Sequence, residues 1–195
     1  MKSYFKRNPY IILYLVILCL LTSCQTNKSI LSKTMNEKNV KKENLVFFDL
    51  KEYNEFGLLI FEKWNDGYEC KYFYDDNNNL IASEQNTGIK TTFKKIDENT
   101  SIEYWSNGIV KMYEYNNGRL IKEYWSEVDY TEYFYDEKGN EESYKSSYGE
   151  ISWNEYNDNN LLIYRKNSNN NEYFFDYEFW PNGTIKKRIN YKLIK

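Results

Sequence analysis

From Leu45 onward the chain alternates apolar and polar residues in short runs, and the runs break at nearly constant intervals. In 172–180, Tyr173, Phe175, Tyr177 and Phe179 occupy one set of alternate positions, with Glu172, Asp176 and Glu178 on the other. In 185–191, Ile185, Ile189 and Tyr191 share a set, opposed by Lys186, Arg188 and Asn190. This two-residue period is that of a strand with one face buried. Other runs, such as Val110-Lys-Met-Tyr-Glu-Tyr115, are mixed on both faces, which predicts a twisted sheet curling partly over one side.

The breaks carry the period. Glycines stand at 57, 67, 88, 108, 118, 139, 149 and 183, nearly all separated by multiples close to ten. Asn78, Asn99 and Asn159 fall where that interval lacks a glycine, and Asn is the residue after Gly that best tolerates the left-handed backbone. Asn-Gly between apolar runs, as at 107–108, 117–118 and 182–183, signals a type I′ hairpin turn with both central residues at positive φ. Ten residues make one strand and one turn, and twenty make a hairpin. Residues 45–195 therefore predict an all-β array of antiparallel hairpins, about seven by this spacing, in a twisted, extended or partly curled sheet. Single hairpins are marginal, and stacking them in a row adds neighbour contacts.

The first 44 residues differ. Lys2, Lys6 and Arg7 precede an apolar stretch over 10–21. At about 1.5 Å per residue it spans roughly 18 Å of helix, short of a ~30 Å hydrocarbon core, so a signal peptide over 1–23 fits better than a membrane-spanning helix. Residues 25–44 are rich in Lys, Asn, Ser, Thr and Glu, which predicts a flexible tether, with a short amphipathic helix as the alternative.

Composition narrows the function classes. Of 195 residues, 21 are Tyr and 11 Phe, which favours pleated, half-buried surfaces. Formal net charge is −3, and loss of the three cations before residue 24 takes it to −6. Nucleic acid is not an expected partner, because phosphate contacts need a basic patch. There is no histidine, which removes Ser-His-Asp and Cys-His catalysis and every His-containing metal site. After Cys19 and Cys24, only Cys70 is left, so the body has no internal disulfide.

Leu21-Thr22-Ser23-Cys24 resembles the bacterial lipobox. The resemblance implies diacylglyceryl transfer to the Cys24 thiol, cleavage before Cys24 and acylation of the new amine. Two or more acyl chains give stable anchoring. Gln25 stands where some diderm bacteria carry an inner-membrane retention Asp. The implied location is the cell envelope: the outer membrane if the cell is diderm, otherwise the plasma membrane. Glu103-Tyr-Trp-Ser-Asn-Gly-Ile-Val-Lys-Met-Tyr-Glu-Tyr-Asn-Asn-Gly-Arg-Leu-Ile-Lys-Glu123 and Tyr177-Glu-Phe-Trp-Pro-Asn-Gly-Thr-Ile-Lys-Lys187 resemble the MORN-like, toxin–antitoxin-associated repeats of bacterial lipoproteins. The Tyr-Asp-x-x-Gly-Asn core at 135–140 resembles the tyrosine-aspartate repeats of Rhs-type shells. Both resemblances imply antiparallel hairpin arrays without catalytic residues.

Candidate chemistry is sparse. Asp75-Asp76-Asn77-Asn78-Asn79 and Asp136–Glu141 lack the calcium-loop spacing, and turn chemistry accounts for them. Cys70 reads as a small buried hydrophobe. Among 29 acidic residues some carboxylate pairs will suit glycoside hydrolysis by chance, which makes a hydrolase the third reading. No catalytic residue, metal or cofactor is expected. Exposed aromatics on a sheet can stack sugars or anchor a protein, and Trp64, Trp105, Trp125, Trp153 and Trp180 are the candidates. Of these, Trp105, Trp125, Trp153 and Trp180 stand as the ligand-binding expectation, against the plainer reading that they pack between hairpins. The expected role is a non-enzymatic, membrane-anchored lipoprotein whose repeat sheet binds a protein or glycan or serves as a scaffold. The alternative implied by the resemblance is an immunity or antitoxin-like protein that neutralises a partner toxin.

Overall fold

The computed structural model describes residues 30–194. The signal peptide and Cys24 lie outside the described residues. The tether segment contributes a helix over residues 30–37 and a 3-10 turn at Lys42–Asn44. Fourteen strands follow: β1 Leu45–Tyr53, β2 Leu59–Trp64, β3 Glu69–Tyr74, β4 Leu80–Gln85, β5 Lys90–Lys95, β6 Thr100–Trp105, β7 Val110–Asn116, β8 Arg119–Tyr124, β9 Tyr130–Tyr135, β10 Glu141–Ser146, β11 Ile151–Tyr156, β12 Leu162–Asn167, β13 Glu172–Phe179 and β14 Ile185–Leu193. Each pairs antiparallel with its sequence neighbours, and β1 also pairs with β14. The antiparallel hairpins are as expected. The extended or partly curled sheet is corrected, because the array closes into a fourteen-stranded barrel.

The reason for closure lies in the register. Of the seven hairpins whose loops form one rim, six (β1–β2, β3–β4, β7–β8, β9–β10, β11–β12 and β13–β14) carry a register shift next to the loop, and β5–β6 carries none. The hairpins of the opposite rim carry none. A bulge bends its strand and raises the local twist, so bulges repeated along one rim curve the sheet steadily in one sense. The first and last strands, nine residues each, then meet from Leu45↔Leu193 to Glu52↔Lys187. Closure removes the edges that would template aggregation.

The loops explain the period. Gly108 N–H donates to Trp105 O at 3.0 Å and Gly108 has φ of 92°, whereas Asn107 is not left-handed. This is a type I turn followed by one left-handed residue, which recurs at both rims. The expected type I′ geometry occurs at Asn117-Gly118, with φ of 50° and 74°. Asn78 takes the glycine role as expected, but in the next such loop the left-handed residue is Asn160, one after the expected Asn159, and Asn99 is not left-handed. Asn170, also left-handed, adds a position the glycine spacing missed.

The helix over 30–37 packs on the outer wall. Leu31 and Met35 are buried against Tyr164 and Phe174, with Val40, Leu45, Tyr191 and Leu193 around them. Burying two such side chains is worth about 1.5–3 kcal/mol each. Lys38 Nζ ties the helix end to Glu155 and lies 4.2 Å from the Tyr164 ring centroid. Inside the barrel, Leu162, Phe175 and Tyr177 form a second buried cluster with Tyr156, Tyr173, Phe179 and Ile185 around it.

Candidate binding site in the barrel lumen

Phe175 and its neighbours fill the lumen beside β11–β14. Beside β2–β8 the lumen holds a cavity of about 1190 Å³. Its lining follows the repeat. At the end of each even strand from β2 to β12, before the unbulged rim, stands Trp64, Gln85, Trp105, Trp125, Ser146 or Asn167, spaced 20 or 21 apart. In each, the backbone N–H donates to the carbonyl four residues on, as Trp105 N to Ile109 O at 2.8 Å. Three of the six are tryptophan, and all three line the cavity together with Gln85, whereas Ser146 and Asn167 do not. Equivalent positions in a closed sheet thus put three indoles, with Gln85 between Trp64 and Trp105, in an arc on one part of one rim.

One turn deeper, carboxylates and tyrosines pair across neighbouring strands. Tyr72 Oη donates to Glu62 Oε1 at 2.6 Å, Tyr113 Oη to Glu103 Oε2, and Tyr133 Oη to Glu123 Oε2 at 2.9 Å. Tyrosine and carboxylate are ten residues apart in every case. Burial, reinforced by the carboxylate, pushes all three tyrosines well above the ordinary phenol range. The second copy breaks the pattern, because Ser83 and Phe93 stand where the others carry Glu and Tyr. Ser83 instead shares a 2.7 Å hydrogen bond with the buried Thr91. Ser83 in place of a glutamate leaves room there for the cavity.

Two lumen lysines are paired with carboxylates. Lys111 Nζ lies 3.1 Å from Glu123 Oε1, 3.2 Å from the Trp125 ring centroid and 5.3 Å from that of Trp105. The two indoles are 6.1 Å apart. Lys51 Nζ lies 3.2 Å from Glu62 Oε2. The indole N–H groups of Trp64 and Trp105 are buried without a hydrogen-bond partner. A buried donor left unmade costs about 1–3 kcal/mol.

The structure separates the candidate tryptophans. Trp105 and Trp125 come together, with Trp64 on the same rim. Trp153 is 49% exposed on the outer wall, next to the fully buried, inward Ser152. Trp180 sits at the opposite rim, where its Nε1 donates to Tyr53 O at 3.0 Å. Cys70 is buried in the cavity wall. The Asp75 and Asp136 carboxylates accept from their own turns, Asp75 from Asn79 and Asn77 and Asp136 from Asn140. The Asn side chain first, then backbone N–H groups, hold both below the usual carboxylate range. Glu62, Glu103, Tyr72, Tyr113 and Lys111 were not among the sequence candidates. Their signal was the ten-residue Glu-to-Tyr spacing, which has meaning only once inward and outward faces are known.

No protein-family model matches the chain, and no curated protein matches it. Among solved structures, a chain in the crystal structure of TcdB2-TccC3-TEV shares 10% identity over 80% of this chain and 9% of that one, with a TM-score of 0.32. A chain in TcdB2-TccC3-Cdc42 shares 10% over 80% of this chain and 13% of that one, with a TM-score of 0.21. The present chain thus spans a small part of either, and a likeness of this size carries nothing about function. What the structure has in common with the repeat families named above is the antiparallel hairpin array.

Proposed function

We propose that this protein is a lipid-anchored, non-enzymatic binding module of the cell envelope whose ligand enters the barrel lumen. The cavity of about 1190 Å³ carries this reading, since its wall combines neighbouring indoles with oriented polar groups, the usual make-up of a ligand site. Anchoring rests on the lipobox resemblance at Cys24. The outer wall supports a barrel that stands off the bilayer. Its surface carries the ion pairs Lys63–Glu69, Lys90–Glu84 and Lys122–Glu132, and most of its strands have six residues. A strand crossing lipid needs about 9–11 residues and an apolar outer band.

The test uses the full chain, solubilised in a detergent without a sugar headgroup and incubated with fragmented envelope from the cell that makes it. Recovery of a specific envelope component, lost when Trp105 and Trp125 are both changed to Ala, is the expected result. Recovery that ignores both substitutions moves the ligand off the lumen, and recovery of nothing removes the binding reading. A co-purifying toxin would favour the immunity alternative.

A further inference from the structure

Resting on that reading, we infer that the lumen ligand is a neutral oligosaccharide held against Trp64, Trp105 and Trp125. Stacking comes first. An aromatic arc at a cavity mouth offers flat apolar faces, and the C–H face of a sugar ring packs on an indole while its hydroxyls stay at the rim of the contact. The arc arises because the repeat places tryptophan at three of the four equivalent positions that line the cavity, with Gln85 at the fourth.

Charge decides between ligand classes. Lys111 already occupies the cation position over Trp125 and is paired with Glu123. Lys51 is paired with Glu62. A cationic ligand meets an ammonium where the aromatic faces are, and an anionic one meets a lining of six acids (Glu62, Asp66, Asp75, Asp97, Glu98 and Glu103) against three lysines (Lys94, Lys95 and Lys111). Bringing either charge into the lumen unpaired is costly. A neutral polyol avoids that cost. Its hydroxyls can donate to the carboxylates of Glu62 and Glu103, which Tyr72 and Tyr113 hold in place. Size agrees: about 1190 Å³ exceeds the roughly 300–1,000 Å³ of pockets that take a drug-sized molecule, leaving room for several sugar rings.

The experiment follows tryptophan fluorescence and heat of binding of the full chain, in a polyoxyethylene detergent, against maltohexaose, cellohexaose and the hexamer of N-acetylglucosamine. Spermine and a heparin-derived hexasaccharide serve as cationic and anionic comparators. At least one neutral oligomer is expected to bind. Affinity should fall about tenfold or more in Trp105→Ala and in Trp125→Ala, as truncating a central aromatic contact does. Trp105→Phe, which keeps a smaller ring, should fall in between, and it serves where the alanine variants do not fold. Trp153→Ala, on the outer wall, should leave binding unchanged. No neutral oligomer binding, or equal loss in Trp153→Ala and Trp105→Phe, overturns the sugar assignment. If spermine, the heparin fragment or a protease-sensitive envelope component then perturbs the lumen tryptophans, the binding-module reading survives without it; if none does, both fall.

Discussion

Lys111 holds its ammonium 3.2 Å from the centroid of the Trp125 ring. The same nitrogen is 3.1 Å from Glu123, so one side chain joins the rim aromatic to the carboxylate beneath it. Both partners are largely buried, unlike an exposed pair worth under about 1 kcal/mol. Lys111→Met keeps the aliphatic stem and removes the charge, leaving Glu123 with Tyr133 alone. The expected cost is about 3–5 kcal/mol of unfolding free energy in a urea titration, that of breaking a buried pair on one side. Adding Glu123→Gln should recover a large part of it. A single variant as stable as the parent would mean that water already screens the pair.

Alkaline pH should unfold the protein through its inward tyrosines. Burial first, then the Glu150 hydrogen bond, pushes Tyr144 up to about 12, and burial with the Glu141 carboxylate does the same for Tyr156. Unfolded, each returns to about 10. A phenol whose folded pKa is raised binds its proton more tightly in the native state. Its contribution is therefore complete below pH 10 and declines as pH rises from 10 towards 12. Urea midpoints should be flat through neutral pH, then fall over that window, and Tyr133→Phe, which removes a higher-titrating member, should soften the fall. Phenolate absorbance rising near pH 10 with no loss of stability would contradict this.

The chain's alternation and punctuation revealed its strands because both follow from local chemistry: residues 173, 175, 177 and 179 line one face, and Gly or Asn occurs where the backbone turns left-handed. Closure was not legible. It depends on bulges beside residues such as Tyr74 and Tyr156, where strand and loop differ by one pairing step that sequence does not display. The candidate site inherits that limit. Trp105, Trp125 and Trp153 look alike in the sequence, and only the direction of each side chain in a closed sheet puts the first two at the lumen and the third outside. Residues 30–37 form the short amphipathic helix that was the alternative to a flexible tether, and the choice was open for another reason. Leu31 and Met35 are too few to signal a core helix, yet they suffice once Tyr164 and Phe174 offer a surface.

Asn160 tests the loop geometry. Its φ is 57°, and its N–H donates to Asn157 O at 3.0 Å. Asn160→Gly should leave stability within a few tenths of a kcal/mol or raise it slightly, whereas Asn160→Val should cost about 1–3 kcal/mol because a branched side chain resists the left-handed region. Thermal melting of the pair settles it, and equal melting points would show that the loop escapes the constraint by changing shape.

Asn190 and Asp49 test closure itself. Asn190 Nδ2 donates to Asp49 Oδ2 at 2.8 Å, joining residues 141 apart, and both side chains are buried. Asp49 Oδ1 and Asn190 Oδ1 have no partner. The pair is therefore a poor source of net stability but a strict selector of register: sliding β14 by one residue against β1 would turn Asn190 outward and leave a buried carboxylate alone. Asn190→Leu should cost about 2–4 kcal/mol by that route. Asp49→Leu combined with Asn190→Leu, which removes the polar group from both strands, should cost much less, or nothing. Amide exchange is the measurement that discriminates. In the single variant it should accelerate first in β1 and β14 while the hairpins between β5 and β10 stay protected. Acceleration spread evenly over all fourteen strands would show that the barrel opens as one unit, with no weak point where its ends meet.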